Sequence, residues 1–232
     1  MQPIKALYFI LFVCCLYNTT GNAQNTRQSI GFFPEASLSY KLNNGYSITH
    51  KIESQHGVFD KTSQLNEELA YKHVLTDLQS FIGKKISPFV KIDLGYQYRL
   101  EKGENTHRTI QQVSILQRES RFRLGHRIRI DQTFFKEAKT LWRARYRAKI
   151  QIPLQGFELD AGEKYISLSN ELIYMYQDRE DDLENRLAAS LGFYINDKNK
   201  LEIGFDYRTD DYLVEDRFRH RLWFKIGYYK SI

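Results

Sequence analysis

The 232-residue sequence predicts an all-β fold, an antiparallel transmembrane β-barrel of the outer-membrane type with about 10–12 strands. Three observations predict it. Apolar and polar residues alternate with a period of two along most of the chain, the mark of strands with two chemically different faces. Charged residues make up 27% and aromatic residues 14% of the composition, and the alternation sends them to opposite faces of the same strands. No run after residue 23 approaches the length of a membrane-spanning helix, so any span in this chain is built from strands.

At the N-terminus, Lys5 precedes the apolar run "ALYFILFVCCLY", followed by small and polar residues up to "GNAQ". With Gly21 and Ala23 before the cut, residues 1–23 are expected to be a cleaved secretory signal peptide. Cys14 and Cys15 both fall inside it, and neither follows the small residue that a lipoprotein cleavage site needs. The mature chain, 24–232, then has no cysteine, which excludes a disulfide framework and thiolate chemistry. With 4 prolines in all and no Ser/Gly-rich linker, residues 24–232 read as a single domain.

The strands follow in order. Ala36, Leu38, Tyr40 and Leu42, the turn "NNG" at 43–45, and Tyr46, Ile48, His50 and Ile52 form a first hairpin. Residues 63–86 place Leu65, Leu69, Leu75, Leu78 and Ile82 at roughly helical spacing, yet also read as one long strand turning at "SP"; the strand is preferred. Val90, Ile92, Leu94, Tyr96 and Tyr98 face away from Lys91, Asp93, Gln97 and Arg99. Phe122, Leu124, His126, Ile128 and Ile130 face away from Arg121, Arg123, Arg127 and Arg129. Trp142, Ala144, Tyr146, Ala148, Ile150 and Ile152 face away from Arg143, Arg145, Arg147 and Lys149. Leu168, Leu172, Tyr174 and Tyr176 oppose Ser167, Ser169 and Glu171. Two further strands, with Leu187 to Ile195 and Leu201 to Tyr207 as their apolar series, meet at the turn "NDKN". The chain closes with Phe218, His220, Leu222, Phe224, Ile226 and Tyr228 against Arg217, Arg219, Arg221 and Lys225.

About eleven strands are countable, and a chain that starts and ends on one side of a membrane needs an even number, so ten or twelve is the expectation. The connections also alternate. Short ones ("NNG", "SP", "QRES", "NDKN") take turns with longer polar ones ("SQHGVFDKTSQ", "EKGENTH", "FFKEAK", "DREDDLE", "TDDYLVED"), which predicts one rim of tight turns and one of longer loops.

Orientation follows from cost. A cation on a lipid-facing strand costs roughly 2–4 kcal/mol near the bilayer midplane, so the arginine-rich faces must line the lumen. Tyrosines gather toward strand ends, as in interfacial girdles. A soluble barrel with the apolar phase inward would enclose a very large apolar cavity, since eight strands already give a barrel just wide enough for its side chains. A two-sheet sandwich tolerates the alternation and stays open as a soluble alternative.

The runs "RFRLGHRIRIDQTF", "LWRARYRAKIQIPL", "ISLSNELIYMY", "NRLAASLGFYINDKNKLEIGFDYR" and "RFRHRLWFKIGYY" resemble a domain-of-unknown-function family of small Gram-negative outer-membrane β-barrels. The resemblance spans roughly residues 28–232 and is most specific from residue 118 onward. It implies a barrel in the outer membrane, and no catalytic or binding residue carries over.

The candidate functional residues are the luminal charges. The basic set is Arg121, Arg123, Arg127, Arg129, Arg143, Arg145, Arg147, Lys149, Arg217, Arg219, Arg221 and Lys225; the acidic set is Glu53, Asp93, Glu171, Glu202, Asp206 and Asp210. A guanidinium-lined aqueous lumen favours anions, whereas full pairing of the two sets would plug a narrow barrel. The formal charge of +6 also suits nucleic acid, but the cations are enclosed and the chain is secreted. For an enzyme there is no G-x-S-x-G, no H-x-x-x-H and no paired carboxylates beside a nucleophile. His50, His126 and His220 lie on the apolar phase, and His56 and His107 are placed in longer loops. The acidic stretches "DREDDLE" and "TDDYLVED" read as solvated loops rather than metal sites.

The expected role is therefore non-enzymatic, either a narrow anion-preferring pore or a plugged structural barrel of the envelope. The alternatives are an outer-membrane barrel enzyme acting on lipid and a soluble secreted binding protein. The expected partners are outer-membrane lipid and lipopolysaccharide, the barrel-assembly machinery and small anions, with no cofactor, metal or nucleic acid.

Overall fold

A computed structural model describes residues 25–62, 68–214 and 217–232; the expected signal segment lies outside the described residues. Eleven strands follow one another: β1 (Asn25–Lys41), β2 (Tyr46–Thr62), β3 (Glu68–Lys85), β4 (Val90–Glu101), β5 (Thr106–Arg118), β6 (Arg123–Phe134), β7 (Leu141–Pro153), β8 (Glu163–Gln177), β9 (Glu180–Asn196), β10 (Asn199–Asp210) and β11 (Arg217–Ser231). They close into one barrel in sequence order.

The count falls within the expected range but is odd, which corrects the parity argument. Consecutive strands pair antiparallel, and the barrel closes through a parallel pair, β1 on β11, from Asn25 opposite Arg217 to Ser39 opposite Ser231. Strand β1 therefore starts at the rim where β11 starts. A parallel ladder is slightly weaker per residue, and here a buried carboxylate reinforces it. Glu35 on β1 lies 3.0 Å from Lys225 on β11 and 3.0 Å from Lys51 on β2.

Residues 68–85 are strand, as preferred. The helix-like spacing of Leu75, Leu78 and Ile82 misleads because Leu75 points inward with Asp77, Gln79 and Phe81, while Leu78 and Ile82 point outward. The four short connections share one rim as expected, but the division into a short-turn rim and a long-loop rim has two exceptions. Asn44 and Gly45 make a tight turn with positive φ (58° and 77°), but so do Asp178 and Arg179 (52° and 71°) on the opposite rim. The rest of "DREDDLE" belongs to β9, where Asp182 accepts the backbone N–H groups of Asp211 and Leu213 (3.0 and 3.2 Å). The connection 154–162 is long and sits on the rim expected to carry tight turns. Much of "SQHGVFDKTSQ" is β2, so His56 is a strand residue, and so is His107 in β5.

The core is charged and the exterior apolar, the reverse of a soluble domain. Asp77, Asp93, Arg108, Asp131, Arg143, Glu171 and Arg208 are buried, while Phe32, Leu94, Ile130, Leu172 and Phe205 are exposed. The outward positions of β4, β6, β7 and β10 carry no Asp, Glu, Lys or Arg. Polar groups on the outside are bonded to one another: His50 to Ser80 (2.9 Å), His126 to Tyr146 (2.8 Å), Asn170 to Asn185 (2.6 Å) and Tyr207 to His220 (2.6 Å). Lys84 and Lys164, near one rim, lie over the Tyr46 and Phe193 rings. Large inner side chains are accommodated by glycine: a Cβ on Gly192 would stand 2.1 Å from the Tyr165 ring, which reaches past it to donate to Glu202 (2.9 Å).

Candidate functional site: the charged lumen

The strands' inner phase places the charges, and strand register then decides which of them meet. Asp131, fully buried on β6, is the centre of one cluster. It lies 2.6 Å from Arg143 and 2.8 Å from Arg145 on β7, with Arg108 of β5 at 3.5 Å. The Arg145 contact is an ion pair without hydrogen-bond alignment. Around the barrel follow Arg99 with Asp77 (2.7 Å), Arg127 with Glu171 (2.6 Å), Arg186 with Glu184 (2.7 Å) and Arg208 with Asp206 (2.6 Å). Arg221 bridges Asp210 (2.9 Å) and Glu184 (3.2 Å), and Lys149 on β7 reaches Glu202 on β10 (3.0 Å).

These groups surround a central cavity of about 420 Å³, walled by thirteen Lys and Arg and eight Asp and Glu, a surplus of five cations. Two cations stand outside the pairing. Arg129 donates only to Gln112 (2.7 and 3.0 Å), and Arg147 has neither ion pair nor hydrogen bond among the described residues. A second cavity of about 600 Å³ opens at the rim where β1 ends, sharing Arg127, Arg147 and Lys149 with the first. A third, of about 450 Å³, lies toward the opposite rim and shares Gln55, Leu75, Arg99 and Arg221 with the first. Three compartments thus stand in series within the barrel.

Of the predicted basic residues, Arg127, Arg129, Arg143, Arg145, Arg147, Lys149, Arg221 and Lys225 wall the central cavity. Arg123 lines the second compartment and Arg219 the third. Arg217 lies near the rim beside Asp211 (3.0 Å), its side chain about half exposed. Arg121 lines none of the three cavities: strand β6 begins two residues later, and its guanidinium lies over the Phe157 ring of the connection 154–162, 5.3 Å from the centroid. Of the predicted acids, Glu53, Glu171, Glu202, Asp206 and Asp210 wall the central cavity. Asp93 is buried between Lys91 (2.7 Å) and Gln112 (2.9 Å), away from it. Glu35, Asp77 and Glu184 also wall the cavity and Asp131 is fully buried beside it, four acids outside the predicted set, of which the series Arg127, Arg129, Asp131 carries the signal for one.

The histidine geometry is specific. His56 Nε2 lies 2.9 Å from Ser54 Oγ and its Nδ1 lies 2.8 Å from the Tyr71 hydroxyl, on the outer side of β2 and β3. No group of three or more potential metal-ligating side chains occurs among the described residues. In the connection between β6 and β7, Lys139 meets Asp178, whose hydrogen bond holds the ammonium above the ordinary lysine range.

An eleven-stranded closed barrel with a charged interior and an apolar exterior is the class these observations define, and it is compatible with the outer membrane. The chain belongs to the DUF2490 family, described as a protein of unknown function, whose profile matches residues 30–226. No curated protein and no solved structure matches the chain.

Proposed function

We propose that residues 24–232 form one outer-membrane domain, a non-enzymatic barrel whose net-cationic lumen favours small anions. The inversion of its faces carries this reading: the charges are enclosed and a continuous apolar surface is exposed, which in water is a liability and in lipid a requirement. Strands of 12–18 residues exceed the roughly 9–11 a tilted transmembrane strand needs. Lipid and lipopolysaccharide are then the partners of the outer face, and the barrel-assembly machinery that of biogenesis. Membrane fractionation with a heat-modifiability gel tests the placement, and recovery in the soluble fraction sinks it. Planar-bilayer recordings test the pathway: anion selectivity that falls on Arg147→Gln supports it, and a silent wild type leaves a barrel plugged by pairs such as Lys149 with Glu202.

A second reading rests on Ser54, His56 and Tyr71. With the Ser54 hydroxyl donating to Nε2 and Nδ1–H donating to the Tyr71 oxygen, the three would form the proton path of an activated serine on the side where a lipid ester would lie. Covalent labelling by a fluorophosphonate that Ser54→Ala abolishes would establish it; an unlabelled wild type disposes of it.

A further inference from the structure

The compartment at the rim where β1 ends has a composition unlike the other two. Eight cations wall it, Lys41, Lys85, Lys91, Arg118, Arg123, Arg127, Arg147 and Lys149, with no carboxylate in its wall among the described residues. The compartment at the opposite rim, by contrast, includes Asp60 and Glu101 beside its cations. Three of the eight reach carboxylates behind the wall, Lys91 with Asp93, Arg127 with Glu171 and Lys149 with Glu202, and the other five do not. Lys41, Lys85, Arg118, Arg123 and Arg147 have no ion pair within 4 Å among the described residues. Register crowds them together: Arg118 faces Arg123 across β5 and β6, Arg127 faces Arg147 across β6 and β7, and Lys85 faces Lys91 across β3 and β4. Like charges directly opposite one another in a sheet are destabilising. Such an arrangement is stable in the presence of a counter-charge from outside.

We propose that this compartment is a binding site for a multiply charged, phosphate-bearing ligand. Its volume of about 600 Å³ is that of a small-molecule site. Planar guanidinium forks and lysine ammonium groups together suit phosphate oxygens, and several unpaired cations in one wall call for several negative charges on one ligand. Leu42, Tyr46 and Phe89 line the same compartment, so the phosphate group is either that of a soluble compound or the headgroup of an anionic lipid whose apolar part lies against them.

The site deepens the anion-favouring reading of the lumen, and one set of proteins separates the two. Purified protein in zwitterionic nanodiscs is titrated with tripolyphosphate, and protein in detergent is titrated with short-chain phosphatidic acid and with phosphatidylcholine. Binding of tripolyphosphate identifies a soluble ligand; binding of phosphatidic acid but of neither of the others identifies a lipid headgroup. In either case Arg118→Gln with Arg123→Gln is expected to weaken binding by roughly ten-fold for each charge removed, while Lys72→Gln with Lys102→Gln in the opposite compartment leaves it unchanged. Heat-modifiability of each variant confirms that it is assembled. The proposal is overturned if neither phosphate probe binds, or if both pairs of substitutions weaken binding equally. A protein that binds but does not conduct removes the pathway and keeps the site; one that conducts with anion preference but binds neither probe does the opposite.

Discussion

Arg127 and Arg147 stand opposite each other on β6 and β7 and share one carboxylate neighbour, Glu171 of β8, which makes contact with Arg127 alone, at 2.6 Å. Both line the central cavity and the compartment beyond it. Arg127 is bonded to the carboxylate, whereas Arg147 has no hydrogen bond among the described residues.

Arg147→Gln removes a charge without orphaning a partner, so its effect on stability is expected to stay within about 0.5 kcal/mol. Arg127→Gln leaves buried Glu171 without its bonded partner and is expected to cost roughly 1–3 kcal/mol. Urea unfolding of both variants in the same lipid checks the contrast; equal losses would refute the asymmetry.

Asp131→Asn strips the carboxylate from Arg108, Arg143 and Arg145 together, and the three cations are then left close to one another. Breaking a buried pair from one side costs roughly 3–5 kcal/mol. The heat-modifiability transition should fall accordingly, and adding Arg145→Gln should restore part of it by relieving repulsion.

Gly192→Ala places a methyl group against the Tyr165 ring. Overpacking of this kind costs roughly 1–3 kcal/mol, and the partner change Tyr165→Ala should then be less damaging in the Gly192→Ala background than alone. A double-mutant cycle on the unfolding midpoint reads the coupling, and strict additivity would exclude the contact.

Glu35→Gln weakens the tie between β1, β2 and β11 at the parallel closure. Amide exchange is expected to speed up in β1 and β11 while β4 to β6 keep their protection. Uniform acceleration around the barrel would show that the closure is not the weak seam.

The two faces were legible because a period of two is local: each strand announces which of its side chains share a side, and the cost of a charge in lipid settles which side is inside. Closure was not, because nothing in "IGFFPEASLSYK" or "RFRHRLWFKIGYYK" distinguishes a parallel neighbour from an antiparallel one. The turn at Asp178 and Arg179 was hidden because neither residue is the Gly or Asn that positive φ usually calls for. Arg147 could be placed in the lumen from sequence, but its lack of a partner could not, since that depends on which strands bring carboxylates within reach. The run of acids around Asp182 reads as solvated loop because the N–H groups it holds, on Asp211 and Leu213, are some thirty residues away.

An odd number of strands makes the barrel's two ends inequivalent addresses. Asn25 and Ile232 lie at opposite rims, so in a membrane an epitope placed ahead of the first and another placed after the second would report from different compartments. On intact cells an antibody should find one of them and miss the other, whereas an even-stranded barrel shows both or neither. The choice of tag then fixes which compartment the basic cavity opens into, because that cavity shares its rim with Ile232.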